Sequence, residues 1–195
     1  MARSRTGSGN ESGYLTSQLL IAMPQMEDPR FARAVVYLCA HTEDGAMGLV
    51  INRLIDSVTF PDLLEQLDIE TAHVEDGIQV HFGGPVESGR GFILHTADFV
   101  QESTLVVDDR FALTATVDIL KAVAEGHGPE ASLFALGYAG WGAGQLEAEI
   151  LANGWLQVPA DEALVFDLAP DEKWERSMAK LGIDFNMLSG EAGHA

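Results

Sequence analysis

The chain has little positive charge and almost no cysteine. Its 195 residues carry 30 acidic but only 11 basic side chains, a formal net charge of −19, and residues 122–172 contain no lysine or arginine. Nucleic-acid-binding proteins gain affinity from basic side chains that displace counterions from phosphates, so direct nucleic-acid binding is not expected. Such an acidic surface also disfavours anionic membranes and favours solubility.

The single cysteine, Cys39, excludes an internal disulfide. It lies in the apolar run Ala34–Ala40, where a buried, inert thiol is expected rather than a nucleophile. A reducing, cytoplasmic setting is therefore predicted. Long apolar runs are also lacking, because Leu19–Met23 ends at Pro24 and is too short to cross a bilayer.

Two segments are predicted from composition. Residues 1–13 are polar, rich in Ser, Gly and Arg, and lack the apolar stretch of a secretory signal, so they are expected to form a disordered N-terminal tail. Residues 14–195 are expected to form one domain, since a chain of this length can bury roughly 70% of its unfolded surface.

Local patterns predict alternating strands and helices. Strands are predicted at residues 34–40, 46–52, 78–82, 91–96, 133–139 and 163–168. Helices are predicted to begin at Thr59 and to cover residues 111–125, 145–152 and 171–181. Asp44-Gly45 is typical of a hairpin between antiparallel strands. The order predicts an α/β or α+β domain with a mixed, largely antiparallel sheet flanked by helices.

The most unusual feature is a run of four glycines in eight residues, at 137, 140, 142 and 144, between a predicted strand and a predicted helix. Such a loop needs positive φ angles or close backbone approach. It matches neither the dinucleotide fingerprint nor a P-loop, and Glu147 and Glu149 would repel a phosphate. A structural connection packed by Tyr138 and Trp141 and a pocket for a neutral ligand or peptide both remain open.

A second glycine-rich connection covers Gly83–Gly91. Arg90 within it is an isolated cation in an acidic chain. Its guanidinium could hold a ligand carboxylate through two hydrogen bonds, or it could pair with an internal acid.

The sequence contains none of the usual catalytic or metal-binding motifs. Its six histidines form neither His-x-His nor His-Glu-x-x-His, and there is no Gly-x-Ser-x-Gly elbow. His41, His81 and His95 lie in or beside predicted strands and would form a metal site only if they converged, with Glu43 or Asp44 nearby. Ordinary hydrogen-bonded or exposed histidines are favoured, so neither a metal nor a cofactor is predicted.

Five motifs together resemble the AlgH/YqgE family of bacterial proteins, over about residues 15–195. They are residues 20–24 with Asp28 and Phe31, residues 44–52, residues 82–86 with 90–95, residues 137–147, and residues 153–155; the closing residues 193–195 are also similar. The resemblance implies a compact α/β fold with coiled, bifurcated sheets and flanking helices. It implies no established activity, since such proteins are described as uncharacterised or, on indirect grounds, as transcriptional regulators.

These observations favour a cytoplasmic regulatory or ligand- or protein-binding module over an enzyme. The residues expected to line one site, where the two glycine segments meet, are Asn52, Gly83, Gly84, Arg90, His95, Tyr138, Trp141 and Gln145. In this hypothesis Arg90 recognises charge, His95 supplies a titratable hydrogen bond and Trp141 forms an apolar wall.

Two alternatives remain. The first is an enzyme for a small polar metabolite, with His95 or Glu149 as the acid/base and Arg90 as the substrate anchor. The second is a set of purely structural motifs, with function on a surface that the sequence does not mark. The ligand, the protein partner and the oligomeric state are left open.

Overall fold

The computed structural model describes residues 14–70 and 78–183. The strands in these ranges are β1 Gln18–Ala22, β2 Val35–Thr42, β3 Gly45–Val50, β4 Val80–Phe82, β5 Val86–Thr96, β6 Leu105–Val106, β7 Phe111–Thr114, β8 Ser132–Gly142 and β9 Trp155–Pro159. The α-helices are α1 Phe60–Gln66, α2 Val117–Ala124, α3 Gln145–Leu151 and α4 Pro170–Lys180, with a π-helical turn at Ala163–Asp167. The predicted tail 1–13 and the motif at 193–195 lie outside the described residues.

The strands form one curled sheet in the order β6-β7-β5-β8-β3-β2-β1-β9. Strand β8 is its centre. One edge of β8 pairs with antiparallel β5. Strand β8 also pairs with parallel β4 through residues 134–136 and with antiparallel β3 through residues 139–142. The sheet therefore divides between β4 and β3. The single-domain fold with a mixed, largely antiparallel sheet is thus confirmed.

Both faces of the sheet are buried over much of their area. Alternate residues of a strand point to opposite faces, and in β1 and β2 the two sets belong to different core clusters: Leu19 and Tyr37 pack with Trp174 of α4, whereas Leu20 and Val36 pack with Trp155 and Leu146 of α3. A third cluster joins α1 and α2 to β4, β5 and β8. Within the described ranges, no helix has both the length and the apolar character needed to cross a membrane.

Several local predictions are confirmed. Strands β2 and β3 form the expected antiparallel hairpin. Helix α1 begins where Thr59 and Asp62 form a reciprocal capping box, in which the Thr59 hydroxyl accepts from the Asp62 N–H and the Asp62 carboxylate accepts from the Thr59 N–H. Helices α3 and α4 lie within one or two residues of their predicted bounds.

Two predictions are wrong. Residues 111–114 form strand β7 rather than the first turn of a helix, because these buried residues pair with β5 on one side and β6 on the other, and tertiary pairing overrides helical spacing. Residues 163–167 form the π-helical turn rather than a strand. A short apolar run does not distinguish the two, and here the Asp161 carboxylate, just before the turn, accepts from the Leu164 N–H at 2.8 Å.

The glycine run is also not the expected loop. Gly137, Gly140 and Gly142 lie within β8, and the chain turns into α3 only around Gly144. Of these three strand residues, Gly137 is the one whose backbone requires glycine. Gly137 adopts a φ of 75°, and a Cβ atom at this position would lie 2.3 Å from the Gly84 carbonyl oxygen.

Candidate functional site

The two glycine-rich segments lie side by side, in backbone contact. The Gly83 N–H donates to the Leu136 carbonyl at 2.8 Å, and the Gly83 carbonyl accepts from the Val50 N–H at 2.8 Å. A Cβ atom at Gly84 would lie 2.0 Å from the carbonyl carbon of Tyr138. The approach is therefore closer than any side chain allows, and it brings the residues around Arg90 next to those around Trp141.

A large bulge in β5 presents Arg90. Val86 pairs with Tyr138 and Gly91 pairs with Leu136, so four residues on β5 face one residue on β8. Bulges of this kind redirect side chains and are common beside functional sites. Glu87 begins the bulge with a φ of 47°, a strained value for a residue with a side chain. The exposed Arg90 guanidinium lies 3.5 Å from the Glu87 carboxylate and 5.1 Å from the centre of the Phe92 ring.

A groove of about 710 Å³ runs beside this bulge and is open to solvent. Residues of six neighbouring strands, from β6 to β2, line it; the apolar ones include Met47, Val86, Phe92, Leu105, Leu113, Tyr138 and Trp141. Several of these belong to the largest core cluster or pack against it, so the groove is an uncovered continuation of the core. Asp44, Glu87 and Arg90 supply the charges along it.

A smaller aromatic cleft of about 460 Å³ lies on the other side of Trp141. Its walls include Phe31, Trp141, Gln145, Glu149 and Trp155. One Glu149 carboxylate oxygen accepts from the Trp141 indole N–H at 2.8 Å and from the Trp155 indole N–H at 2.9 Å. The other accepts from the Gln145 amide at 3.2 Å. This carboxylate therefore holds two indole rings, with centres 6.0 Å apart, in an edge-to-face arrangement.

An exposed ion pair lies at the cleft. The Arg30 guanidinium is 2.7 Å from the Asp28 carboxylate, and its hydrogen bonds lower the pKa of Asp28. The groove and the cleft also share a wall, because Val86, Gly140 and Trp141 line both. The two cavities therefore form one composite region around the meeting point of the glycine segments.

A family model described as AlgH-like matches residues 19–186. The chain belongs to this family. It is 57% identical to a UPF0301 protein of Rhodospirillum rubrum over 183 residues, covering 94% of this chain and 95% of the relative. The solution structure of the AlgH protein from Pseudomonas aeruginosa is 46% identical, with full coverage of both chains and a TM-score of 0.77.

A crystal structure of a Corynebacterium diphtheriae protein is similar in fold alone. It is 21% identical, with a TM-score of 0.70 over 87% of this chain and 88% of that chain. The family model and the relatives from Rhodospirillum rubrum and Pseudomonas aeruginosa confirm the family that the motifs indicate.

Six of the eight predicted site residues lie in or behind the composite region. Arg90, Tyr138 and Trp141 line the groove, and Trp141 and Gln145 line the cleft. Gly83 and Gly84 form the backbone contact behind them.

Asn52 lines neither cavity. Its side-chain oxygen accepts from the Val35 N–H at 2.9 Å, and its amide donates to the Arg33 carbonyl at 2.8 Å. These two bonds tie the end of β3 to the start of β2, so Asn52 serves the fold.

His95 is also placed elsewhere. It pairs with Ser132 at the start of β8, whereas Trp141 lies near the end of that strand, about 25–30 Å further along it. Its ring is fully buried, with contacts of 2.8 Å to the Thr96 carbonyl and to the Thr114 hydroxyl. Burial lowers the pKa of His95. Arg90 is exposed in the bulge of β5, five residues and roughly 15 Å along the strand from the buried His95, so the two side chains do not share one site.

The histidines considered for a metal site have separate partners. In residues 14–70 and 78–183, no three His, Cys, Asp or Glu side chains are arranged to hold a metal ion. His41 accepts the Leu15 N–H at Nδ1 (3.0 Å), so its Nε2 carries the proton and donates to Glu147 at 2.7 Å. The ring of His81 lies 3.1 Å from the Phe134 carbonyl.

Sequence reasoning did not find most of the groove. Phe92, Leu105 and Leu113 come from three strands, and two of these strands were either not predicted or predicted as helix. One signal in the cleft was available: Gln145 and Glu149 are four residues apart on a predicted helix, which places their side chains next to each other.

Proposed function

We propose that this protein is a binding module and that the groove receives an apolar segment of a partner protein. The observation that carries the proposal is the shape and chemistry of the groove. It is wide and open, it continues the hydrophobic core, and Leu105 at its side is 49% exposed. Exposed apolar surface that continues a core is typical of protein interaction sites.

The arrangement of polar groups favours binding over catalysis. His95 is sealed inside the sheet, away from Arg90. The Glu149 carboxylate accepts hydrogen bonds from two indoles and an amide, and Arg90 is engaged with Glu87. The acid/base and anchor of the enzymatic alternative are thus not assembled around a common substrate position.

Charge indicates the chemistry of the partner. The chain has a net charge of −19, and the groove is lined by two acidic side chains, Asp44 and Glu87, and one basic side chain, Arg90. Such a surface attracts a basic protein and repels nucleic acid. We therefore expect an apolar segment flanked by lysine or arginine. A regulatory role would then act through protein contact, in the reducing cytoplasm that the buried, unpaired Cys39 suits.

The test is a selection of random peptides displayed on phage, with the purified protein as bait. We expect enriched peptides to carry an apolar centre with basic flanks. Leu105→Ser should weaken the binding of a synthesised peptide about tenfold, because a buried leucine contributes roughly 1.5–3 kcal/mol. Val106→Ser is the matched control, since Val106 is 50% exposed on the same strand but does not line the groove.

Equal loss of affinity in the two variants, or enrichment of acidic peptides, would contradict the proposal. A gel-shift assay at low salt gives a second test. Tight, sequence-selective binding of DNA or RNA would overturn the assignment to a protein partner.

The aromatic cleft supports a second candidate, a small-ligand site. Its volume of about 460 Å³ and its wall of Phe31, Trp141 and Trp155 are in the range of ligand pockets, roughly 300–1,000 Å³. Native mass spectrometry of protein purified from its own host tests this candidate. A discrete extra mass that is lost on denaturation and is absent from a Trp155→Leu variant would support it, and a bare chain would count against it.

A further inference from the structure

Lys173 is a buried cation on α4. The residue is only 2% exposed. Its ammonium group donates to the Ile51 carbonyl at 3.0 Å and to the Val165 carbonyl at 2.7 Å, which links α4 to the end of β3 and to the π-helical turn. An ammonium group has three N–H donors. Two are used here, so the third has no acceptor within the described part of the chain.

This charge also has no acidic partner among the described residues. Five ion pairs occur within residues 14–70 and 78–183, and Lys173 is in none of them. Burial lowers the pKa of Lys173 to about 8. Buried charges are ordinarily paired, because removing a lone charge from water is costly.

A lysine cleft of about 200 Å³ lies against this group. Lys173, His81, Ser132, Phe166 and Leu168 are among the residues that line it, and none of its described lining residues is acidic. Burial, with Lys173 nearby, lowers the pKa of His81 to about 4, so its ring is neutral near pH 7. Its Nδ1–H donates to the Phe134 carbonyl at 3.1 Å, and the Gln79 backbone is a second hydrogen-bond partner of the ring. The exposed Ser132 adds a hydroxyl donor.

We propose that the lysine cleft binds a small monocarboxylate, with the carboxylate on the third N–H of Lys173 and on the Ser132 hydroxyl. A single cation matches a single negative charge. The volume suits an acid of only a few heavy atoms, and Phe166 and Leu168 provide apolar surface for its carbon chain. This site lies outside the groove and the aromatic cleft, so the inference does not depend on the proposed partner binding.

The test is an NMR titration of the isotope-labelled full chain with pyruvate, at constant ionic strength maintained with sodium chloride. We expect saturable shifts at the Lys173 side chain and at the amides of Ser132 and Gln79. Lys173→Met should weaken binding about tenfold or more, the loss of a charge-assisted hydrogen bond. Lys180→Met is the matched control, since Lys180 is more exposed and pairs with Asp161 at 2.6 Å.

Several results would overturn the proposal. These are no saturable shift at pyruvate concentrations on the order of tens of millimolar, equal binding by the Lys173→Met variant, or the same shifts with inorganic phosphate. If Lys173→Met does not fold, Ser132→Ala decides, because Ser132 is exposed at the start of β8. This variant should bind pyruvate several-fold more weakly, and unchanged affinity would contradict the assignment.

Discussion

Replacing Glu149 by alanine should destabilise the protein by about 2–4 kcal/mol. The change removes the acceptor of two indole N–H groups, at 2.8 Å from Trp141 and 2.9 Å from Trp155, and both tryptophans are buried. A hydrogen bond to a charged group contributes about 1.5–3 kcal/mol. Because Glu149 is only half-buried, water can partly replace it, and the lower end of that range applies to each bond.

The assay is urea unfolding followed by far-ultraviolet circular dichroism. Indole fluorescence is unsuitable, since the substitution changes the surroundings of two tryptophans. With a slope of about 2 kcal/mol per molar urea, the midpoint should fall by roughly 1–2 M. Glu175→Ala is the control, because Glu175 is an exposed helical glutamate without a hydrogen bond or ion pair in the described residues. Coincident midpoints for the two variants would refute the role given to Glu149.

Two further predictions concern the backbone contact and a buried histidine. Gly83→Ala should lower the free energy of unfolding by about 3 kcal/mol, because its Cβ atom would lie 2.2 Å from the Gly137 carbonyl oxygen. Gly89→Ala is the control and should change the melting temperature little, because a Cβ atom there would have nothing within 4 Å. Equal melting temperatures for the two variants would contradict this prediction. Burial lowers the pKa of His81 to about 4 in the folded protein. As the pH falls, this histidine is therefore protonated in the unfolded chain before it is protonated in the folded one, and the free energy of unfolding should fall by about 3 kcal/mol between pH 6.5 and 4. His81→Gln should flatten that loss in urea unfolding at both pH values, and an unchanged slope would argue against the assignment.

Local signals predicted much of this fold because they act over a few residues. Asp44-Gly45 indicated the hairpin, and Thr59 with Pro61 indicated the start of α1; both are confirmed. The helix predicted over Phe111–Thr114 was wrong because the apolar residues there fit a helical spacing. These residues form a strand because they pair with β5 and β6. Information of that kind lies elsewhere in the chain.

Some parts of the candidate site could likewise be predicted from local sequence signals, and others could not. Glycine density located the place where the backbones of Gly84 and Tyr138 touch, since only close approach or positive φ requires so many glycines. The sequence could not show that Leu105 and Leu113 line the same groove as Tyr138. Their strands come near β8 only through the order of strands in the folded sheet. Lys173 gave no signal, since burial of a helical lysine depends on what packs over it.

The position of β1 has a consequence for how the chain is made. This strand is inside the sheet, between β2, which follows it closely in sequence, and β9, where Gln18 pairs with Pro159. A chain leaving the ribosome therefore presents β1 long before its second neighbour exists, and closing so large a loop delays folding. Until β9 is made, the backbone N–H and C=O groups along one edge of the apolar strand β1 stay unpaired, and synthesis stalled before Trp155 should yield a product that associates through this edge.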